Sequence, residues 1–309
     1  MNANRLGGLI AATYTPMDET GELSLAPIRS YCKALIDEGA VSGVFVCGTT
    51  GEGLSLTVSE RKHVAEEWMD AAGGRLKVIV HVGHTSVTDA GELAAHAASV
   101  GVDGVAAMGP VFFKPAGLSE LVRYCGDIAA EAPETPFYYY HIPAMTGLDF
   151  PMRELLPEAS RAIPNFAGIK FTHGDLMDYQ RCLQWSGGRH ELLFGRDEML
   201  LPALALGATG AVGSTYSYAA SLYSELIQAF HKGDLETARA RQARAQDMIS
   251  ILLQHGVIPA GKALLPLLGF SFGPPRPPLF PLSEAEAQAL RASLMKDGFL
   301  DVCLNKQPA

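Results

Sequence analysis

The stretch Asn165-Phe166-Ala167-Gly168-Ile169-Lys170-Phe171-Thr172 reads as a short buried strand that carries a charged amine near its end. Seven runs of the same kind flank it, at Gly8–Pro16, Val41–Gly48, Leu76–Gly83, Gly104–Met108, Pro136–Ile142, His190–Gly195 and Gly210–Ser214, with the quoted strand itself at Phe166–Thr172. Between them lie segments such as Ser59–Trp68, whose apolar residues recur at helical spacing. Strand then helix, repeated eight times, predicts a closed parallel (β/α)8 barrel, the TIM-barrel architecture of the α/β class. A doubly wound open sheet is the competing layout. It rarely needs eight evenly spaced units, and no dinucleotide-binding glycine fingerprint follows the first strand.

Local punctuation supports the alternation. Ser24, Thr57, Ser86 and Ser119 are candidate N-caps, and Thr57 with Glu60 has the form of a capping box. Gly39, Gly73-Gly74, Gly101 and Gly187-Gly188 are candidate helix stops. From Asp234 onward the chain reads as two or three further helices, interrupted by Gly273-Pro274-Pro275-Arg276-Pro277-Pro278. A segment so rich in proline cannot be helix, and it predicts a rigid surface crossing. The expectation is one domain over residues 1–309, with the barrel in 1–232 and a helical C-terminal extension, 233–309, packed on it.

Of the 309 residues 48% are hydrophobic and 18% charged, which is enough apolar material for a large core. The net charge of −9 argues against nucleic acid or an anionic membrane as partner. The one dense basic cluster, Arg239, Arg241 and Arg244, alternates with Glu236 and Asp247 and reads as a solvated helix face. The five cysteines have no CxxC spacing and fall in apolar patterns, as reduced buried thiols do. No secretory leader precedes the first strand, and no apolar run approaches the ~20 residues of a membrane span. A soluble, cytoplasmic protein is expected.

A buried lysine is either paired with a carboxylate or has its pKa pushed down, and in the second case it is a nucleophile able to form a Schiff base. The other eight lysines, Lys33, Lys62, Lys77, Lys114, Lys232, Lys262, Lys296 and Lys306, have ordinary solvated contexts. In such a barrel the active site lies at the C-terminal strand ends. Those ends hold Thr15-Pro16, Gly48–Gly53, Tyr140-His141, Lys170–Thr172, Gly195–Glu198 and Gly213–Thr215. Strict alternation places Phe166, Gly168 and Lys170 on one face and Ala167, Ile169 and Phe171 on the other, with Lys170 pointing into the barrel. The Gly48-Thr49-Thr50-Gly51-Glu52-Gly53 turn has backbone N–H groups and two hydroxyls to clamp a carboxylate, or is simply a tight βα turn. Tyr140 is either core packing or a proton relay. Asp197-Glu198 is either a helix start or a binder of substrate hydroxyls. Other matches fail. Gly256-x4-Gly261-Lys262 has Ala263 where a phosphate loop needs a hydroxyl, and His81 and His84 fall on opposite faces of a strand with no acidic ligand beside them.

Four motifs together carry a resemblance: Gly48–Leu56, Tyr138–Gly147, the Gly168-Ile169-Lys170 strand end, and Gly210–Tyr216. The chain resembles the N-acetylneuraminate lyase (sialic acid aldolase) branch of the dihydrodipicolinate synthase superfamily, from about Gly8 to Pro278. The resemblance implies that Lys170 is the Schiff-base lysine and Tyr140 the proton-transferring phenol. It implies that Thr49 and Thr50 hold a pyruvate carboxylate and that Thr172, Gly195, Asp197, Glu198 and Ser214 bind the sugar. It also implies a homotetramer, small-molecule partners (a sialic acid, pyruvate and N-acetylmannosamine), and no cofactor or metal. The lysine-biosynthesis branch carries an arginine where this chain has Met145, and a tyrosine from a neighbouring subunit where it has Phe112-Phe113. That branch is therefore disfavoured. His173, Arg196, Cys47 and His84 depart from the expected rim, which leaves open another pyruvate-dependent aldolase or a dehydratase on 2-keto-3-deoxy sugar acids. A non-catalytic, pyruvate-responsive barrel is the reading from outside the enzymes.

Overall fold

The computed structural model describes residues 6–304. Eight parallel strands close into a barrel in chain order, with β1 (Gly8–Ala12) pairing both β2 (Gly43–Val46) and β8 (Gly210–Gly213). Between them run β3 (Lys77–His81), β4 (Gly104–Met108), β5 (Phe137–His141), β6 (Phe166–Phe171) and β7 (Glu191–Phe194). The helices between and after the strands are α1 (Ala26–Glu38), α2 (Val58–Ala72), α3 (Val87–Ser99), α4 (Leu118–Ala130), the single turn α5 (Pro143–Thr146), α6 (Met152–Ala162), α7 (Leu176–Ser186), α8 (Leu200–Leu206) and α9 (Tyr216–His231). The tail adds α10 (Leu235–Leu253), α11 (Val257–Leu264) and α12 (Glu284–Lys296). Lys306 lies outside the described residues.

The core has two parts, as strand alternation demands. Ile10, Phe45, Ile79, Ala106, Tyr138, Leu193 and Val212 fill the barrel interior. Their neighbours Leu9, Val44, Val78, Val105, Tyr139 and Ala211 point outward and pack under the helices. All five cysteines are buried free thiols. No single helix among the described residues is long and apolar enough to cross a membrane.

Local signals held unevenly. Thr57 and Glu60 form the expected capping box, Ser86 caps α3, and Gly39, Gly73 and Gly187 end their helices in the left-handed conformation. Ser24 and Ser119 cap nothing. Helix α1 enters through Leu25 with a proline in its first turn, and α4 starts at Gly117, which leaves Ser119 inside the helix. Strand β1 stops at Ala12, short of Pro16, and the buried residues that follow bond elsewhere: Thr15 donates its hydroxyl to the Gly51 carbonyl at 2.6 Å.

Strict alternation fails at the start of β6. Phe137 pairs with Phe166 but Tyr138 pairs with Gly168, so one residue bulges. Phe166 consequently joins Ile169 and Phe171 in the outer core, while Ala167 packs against the interior. Beyond the bulge the register puts Lys170 beside Tyr140, inside the barrel.

The tail is fastened to the barrel mouth. Lys262 of α11, expected to be solvated, is buried and forms an ion pair with buried Glu52 at 2.7 Å, with side chains 2% and 1% exposed. The proline-rich segment is likewise more than a surface crossing. Pro275 is buried, and Arg276 binds both oxygens of Glu60, the Gly21 carbonyl and, through its backbone N–H, Glu52. That guanidinium holds the Glu60 carboxyl down to about 2. The arginine cluster also does more than face solvent. Arg241 pairs with Glu225, and Arg244 donates to the Gly298 carbonyl at 2.8 Å while lying over the Phe299 ring. Removing one partner of a buried ion pair strands the other. Lys262→Ala is therefore expected to cost about 3–5 kcal/mol, measured as a lower denaturant midpoint at unchanged m-value.

Candidate active site

Lys170 is 4% exposed, and its Nζ sits 3.8 Å from the Phe45 ring centroid and 3.9 Å from that of Tyr140. Among the described residues no carboxylate lies within ion-pairing distance of it, unlike Lys262. Burial pushes the Lys170 amine down to about 7, with the charge of nearby Asp197 pulling the other way. A near-neutral pKa gives a substantial fraction of free amine at physiological pH, which is what attack on a carbonyl needs. The rate of imine formation is accordingly expected to rise with pH through about 7 and to level off above it. Asp197→Asn removes the charge that favours the ammonium form. It is expected to move this limb to lower pH, measured by single-turnover imine trapping; an unmoved or alkaline limb would contradict the assignment.

Tyr140 is 3% exposed, and its hydroxyl lies 3.1 Å from that of Thr49. Burial pushes the phenol up to about 12, the Thr49 and Thr172 hydroxyls holding it lower than burial alone would. Such a phenol stays protonated, and a protonated phenol between hydroxyls can pass a proton along. Buried His81 stands edge-on to the Tyr140 ring, 5.8 Å between centroids, and burial beside Arg61 and Lys170 holds it well below its ordinary pKa. A neutral imidazole adds no second positive charge next to the amine.

The turn after β2 carries Thr49 and Thr50. Cys47 and Glu52 at its two ends adopt positive φ values of 57° and 53°, an uncommon conformation for such residues. The loop folds so tightly that a Cβ on Gly53 would lie 1.9 Å from the Cys47 carbonyl oxygen. Glu52 faces away from the chemistry, toward Lys262 and Arg276, and so ties this turn to the tail.

After β7, Gly195 has no side chain because Thr172 needs the space: a Cβ there would lie 2.0 Å from Thr172 Oγ1. Asp197 is 6% exposed and accepts hydrogen bonds from the Thr215 N–H at 2.9 Å and the Thr215 hydroxyl at 2.6 Å. Burial raises its pKa to about 6. Glu198 pairs with Arg196 at 2.7 Å. These two carboxylates open a short 3-10 turn rather than a long helix, and the turn is clamped from the tail. Gln242 of α10 donates to the Asp197 carbonyl at 3.1 Å and Gln246 to that of Glu198 at 2.8 Å.

All nine expected site residues, Thr49, Thr50, Tyr140, Lys170, Thr172, Gly195, Asp197, Glu198 and Ser214, line one cavity of about 440 Å³ at the C-terminal mouth of the barrel. Arg196 lines it too, whereas Cys47, His84 and His173 do not. The site also has an apolar ceiling that sequence reasoning missed. Ile249 and Leu252 of α10 and Val257 and Ile258 of α11 close the cavity above the strand ends. The i, i+3 spacing of Ile249 and Leu252 was legible, but it marks any buried helix face. Met145 lines this cavity and a neighbouring apolar one of about 330 Å³. Phe112 and Phe113 are 76% and 83% exposed and do not line the cavity.

An unpaired amine beside a phenol at the mouth of a (β/α)8 barrel is the equipment of an enzyme that condenses with carbonyls. The chain belongs to the dihydrodipicolinate synthetase family, whose model matches residues 5–297. It is 43% identical over 313 residues to the N-acetylneuraminate lyase of Rattus norvegicus, covering 97% of this chain and 98% of that one. Among solved structures it superposes on the N-acetylneuraminate lyase of Proteus mirabilis with TM-score 0.93 at 42% identity, covering 96% and 100% of the two chains. The sialic acid aldolase of Aliivibrio salmonicida superposes equally well, with TM-score 0.93 at 43% identity over 96% of this chain and 98% of that one.

Proposed function

We propose that this protein is a class I aldolase that reversibly cleaves N-acetylneuraminate to N-acetylmannosamine and pyruvate. The observation that carries the reading is the unpaired Lys170 amine held against Tyr140 in a cavity lined by hydroxyls. The names of the relatives supply the substrate.

Thr49 and Thr50 hold the substrate carboxylate, which places its C2 ketone beside Lys170. The neutral amine adds to C2, and loss of water gives a protonated imine. As the C3–C4 bond breaks, the Tyr140 phenol oxygen receives the proton of the C4 hydroxyl and passes its own proton to the substrate carboxylate, while the bonding electrons move into the protonated imine to give the pyruvate enamine. N-acetylmannosamine leaves as the aldehyde. Protonation of the enamine at C3 and addition of water release pyruvate and restore the amine. Thr172, Gly195, Asp197, Glu198 and Ser214 bind the polyol chain. The Thr49 hydroxyl adjoins the phenol, which sets this proton path beside the carboxylate.

Pyruvate release across a panel of sialic acids and 2-keto-3-deoxy sugar acids tests the substrate, and the largest kcat/KM should fall to N-acetylneuraminate. The Arg196–Glu198 pair at the sugar end favours one second reading, a related sugar acid bearing a negative group there. Aspartate semialdehyde should condense poorly, because Met145 brings no charge to the cavity. Faster semialdehyde condensation than N-acetylneuraminate cleavage would overturn the proposal.

Glu198→Ala should weaken cleavage roughly tenfold to a hundredfold, the worth of one charge-assisted hydrogen bond at about 1.5–3 kcal/mol. Trapping of pyruvate alone, which leaves the sugar end empty, should be unchanged; parallel losses in both assays would make Glu198 a structural residue. The assembly we propose is a homotetramer, with exposed Phe112 and Phe113 in a subunit contact. Light scattering on the eluted protein reads the mass.

A further inference from the structure

Behind the cavity wall, the residues that follow Tyr140 and Thr172 in the chain come together. His141, Asp149 and His173 each present a ligand atom, and these atoms lie within 4.8 Å of one another. The two imidazoles stand edge to face, 5.5 Å between centroids and 83° between planes. His141 is 1% exposed, its ring lies against Phe171 at 5.2 Å, and its Nδ1 is buried with no hydrogen-bond partner. A buried polar nitrogen left unsatisfied is unfavourable, and a ligand that accepts its lone pair relieves the cost. His173 is half-buried and Asp149 exposed, and both have room to move. Ligands on a tetrahedral ion with bonds of about 2.0–2.1 Å stand roughly 3.4 Å apart, so small side-chain rotations close the group.

We propose that His141, Asp149 and His173 form a binding site for a late first-row divalent cation such as Zn²⁺, joining the segment between β5 and α6 to the loop between β6 and α7. Two imidazoles and one carboxylate suit Zn²⁺, Co²⁺ or Ni²⁺ and not Mg²⁺, which requires a shell of oxygens. Water completes the coordination. The ion touches neither Lys170 nor Tyr140; it pins together the two segments that follow Tyr140 and Thr172.

The test uses the tag-free full chain after chelator treatment. Titration with Zn²⁺ should give one ion per chain, and Co²⁺ in its place should produce a visible d–d absorption band. Mg²⁺ in excess should not compete. His173→Ala and Asp149→Asn should each lower Zn²⁺ affinity at least about tenfold, since weakening even the outer shell of such sites costs tenfold or more. Zn²⁺ should raise the melting temperature of the parent protein and not that of His173→Ala. Retained borohydride trapping of pyruvate shows that the variants are folded. If Zn²⁺ binds the parent and an Asp149→Asn, His173→Ala double variant alike, or fails to saturate the parent at micromolar concentration, the proposal is wrong.

Discussion

Lys170→Arg is expected to abolish turnover. A guanidinium stays protonated at every accessible pH and cannot act as the amine nucleophile. The replacement keeps a long side chain between Phe45 and Tyr140 but makes its charge permanent, so a thermal melt beside the assay separates lost chemistry from lost packing. The companion measurement is borohydride reduction in the presence of pyruvate. It should inactivate the parent protein and leave a mass adduct on the peptide containing Lys170, and on none in Lys170→Arg. An adduct on Lys262 or any other lysine would overturn the assignment to Lys170, and none at all would end the Schiff-base mechanism. Lys262 is the instructive control, because it is equally buried but is held by Glu52 as an ion pair.

Tyr140→Phe should lower kcat by roughly 10²–10⁴, the usual worth of a positioned acid–base group. The ring contacts with Lys170, Phe45 and His81 survive this change, and only the hydroxyl near Thr49 is lost. Pyruvate trapping, which needs no C4 proton transfer, should therefore fall much less than cleavage. Near-normal cleavage would reduce Tyr140 to core packing.

The strand ends were legible because each combines a short apolar run with a glycine or hydroxyl, and because closed barrels gather such ends in one place. Hence the cavity residues came out together. What sequence reading missed depends on contacts between distant segments. Lys262 has the spacing of an ordinary helix lysine, and nothing near it announces Glu52. The bulge at Ala167 follows from how β5 and β6 share register, which neither strand encodes alone. Ser24 and Ser119 carry the right side chain for a cap, but the chain enters its helices one residue after the first and two before the second. Ile249, Leu252, Val257 and Ile258 look like any apolar helix face until the helices fold over the barrel mouth. The group of His141, Asp149 and His173 was equally invisible, since it joins the end of β5 to residues of two separate connections.

The attachment of the tail has a consequence for timing during synthesis. All eight strands lie before residue 214, so every strand of the barrel is synthesised before the tail. The turn that bears Thr49 and Thr50 is anchored by Lys262 and Arg276, and the Asp197–Glu198 turn by Gln242 and Gln246. A stalled nascent chain ending before α10 should therefore expose an amine at an unroofed mouth with slack binding loops. On the proposed mechanism, the newborn barrel is expected to stay silent until its last quarter emerges and docks, because the loops that would hold a substrate beside the amine are not yet fixed.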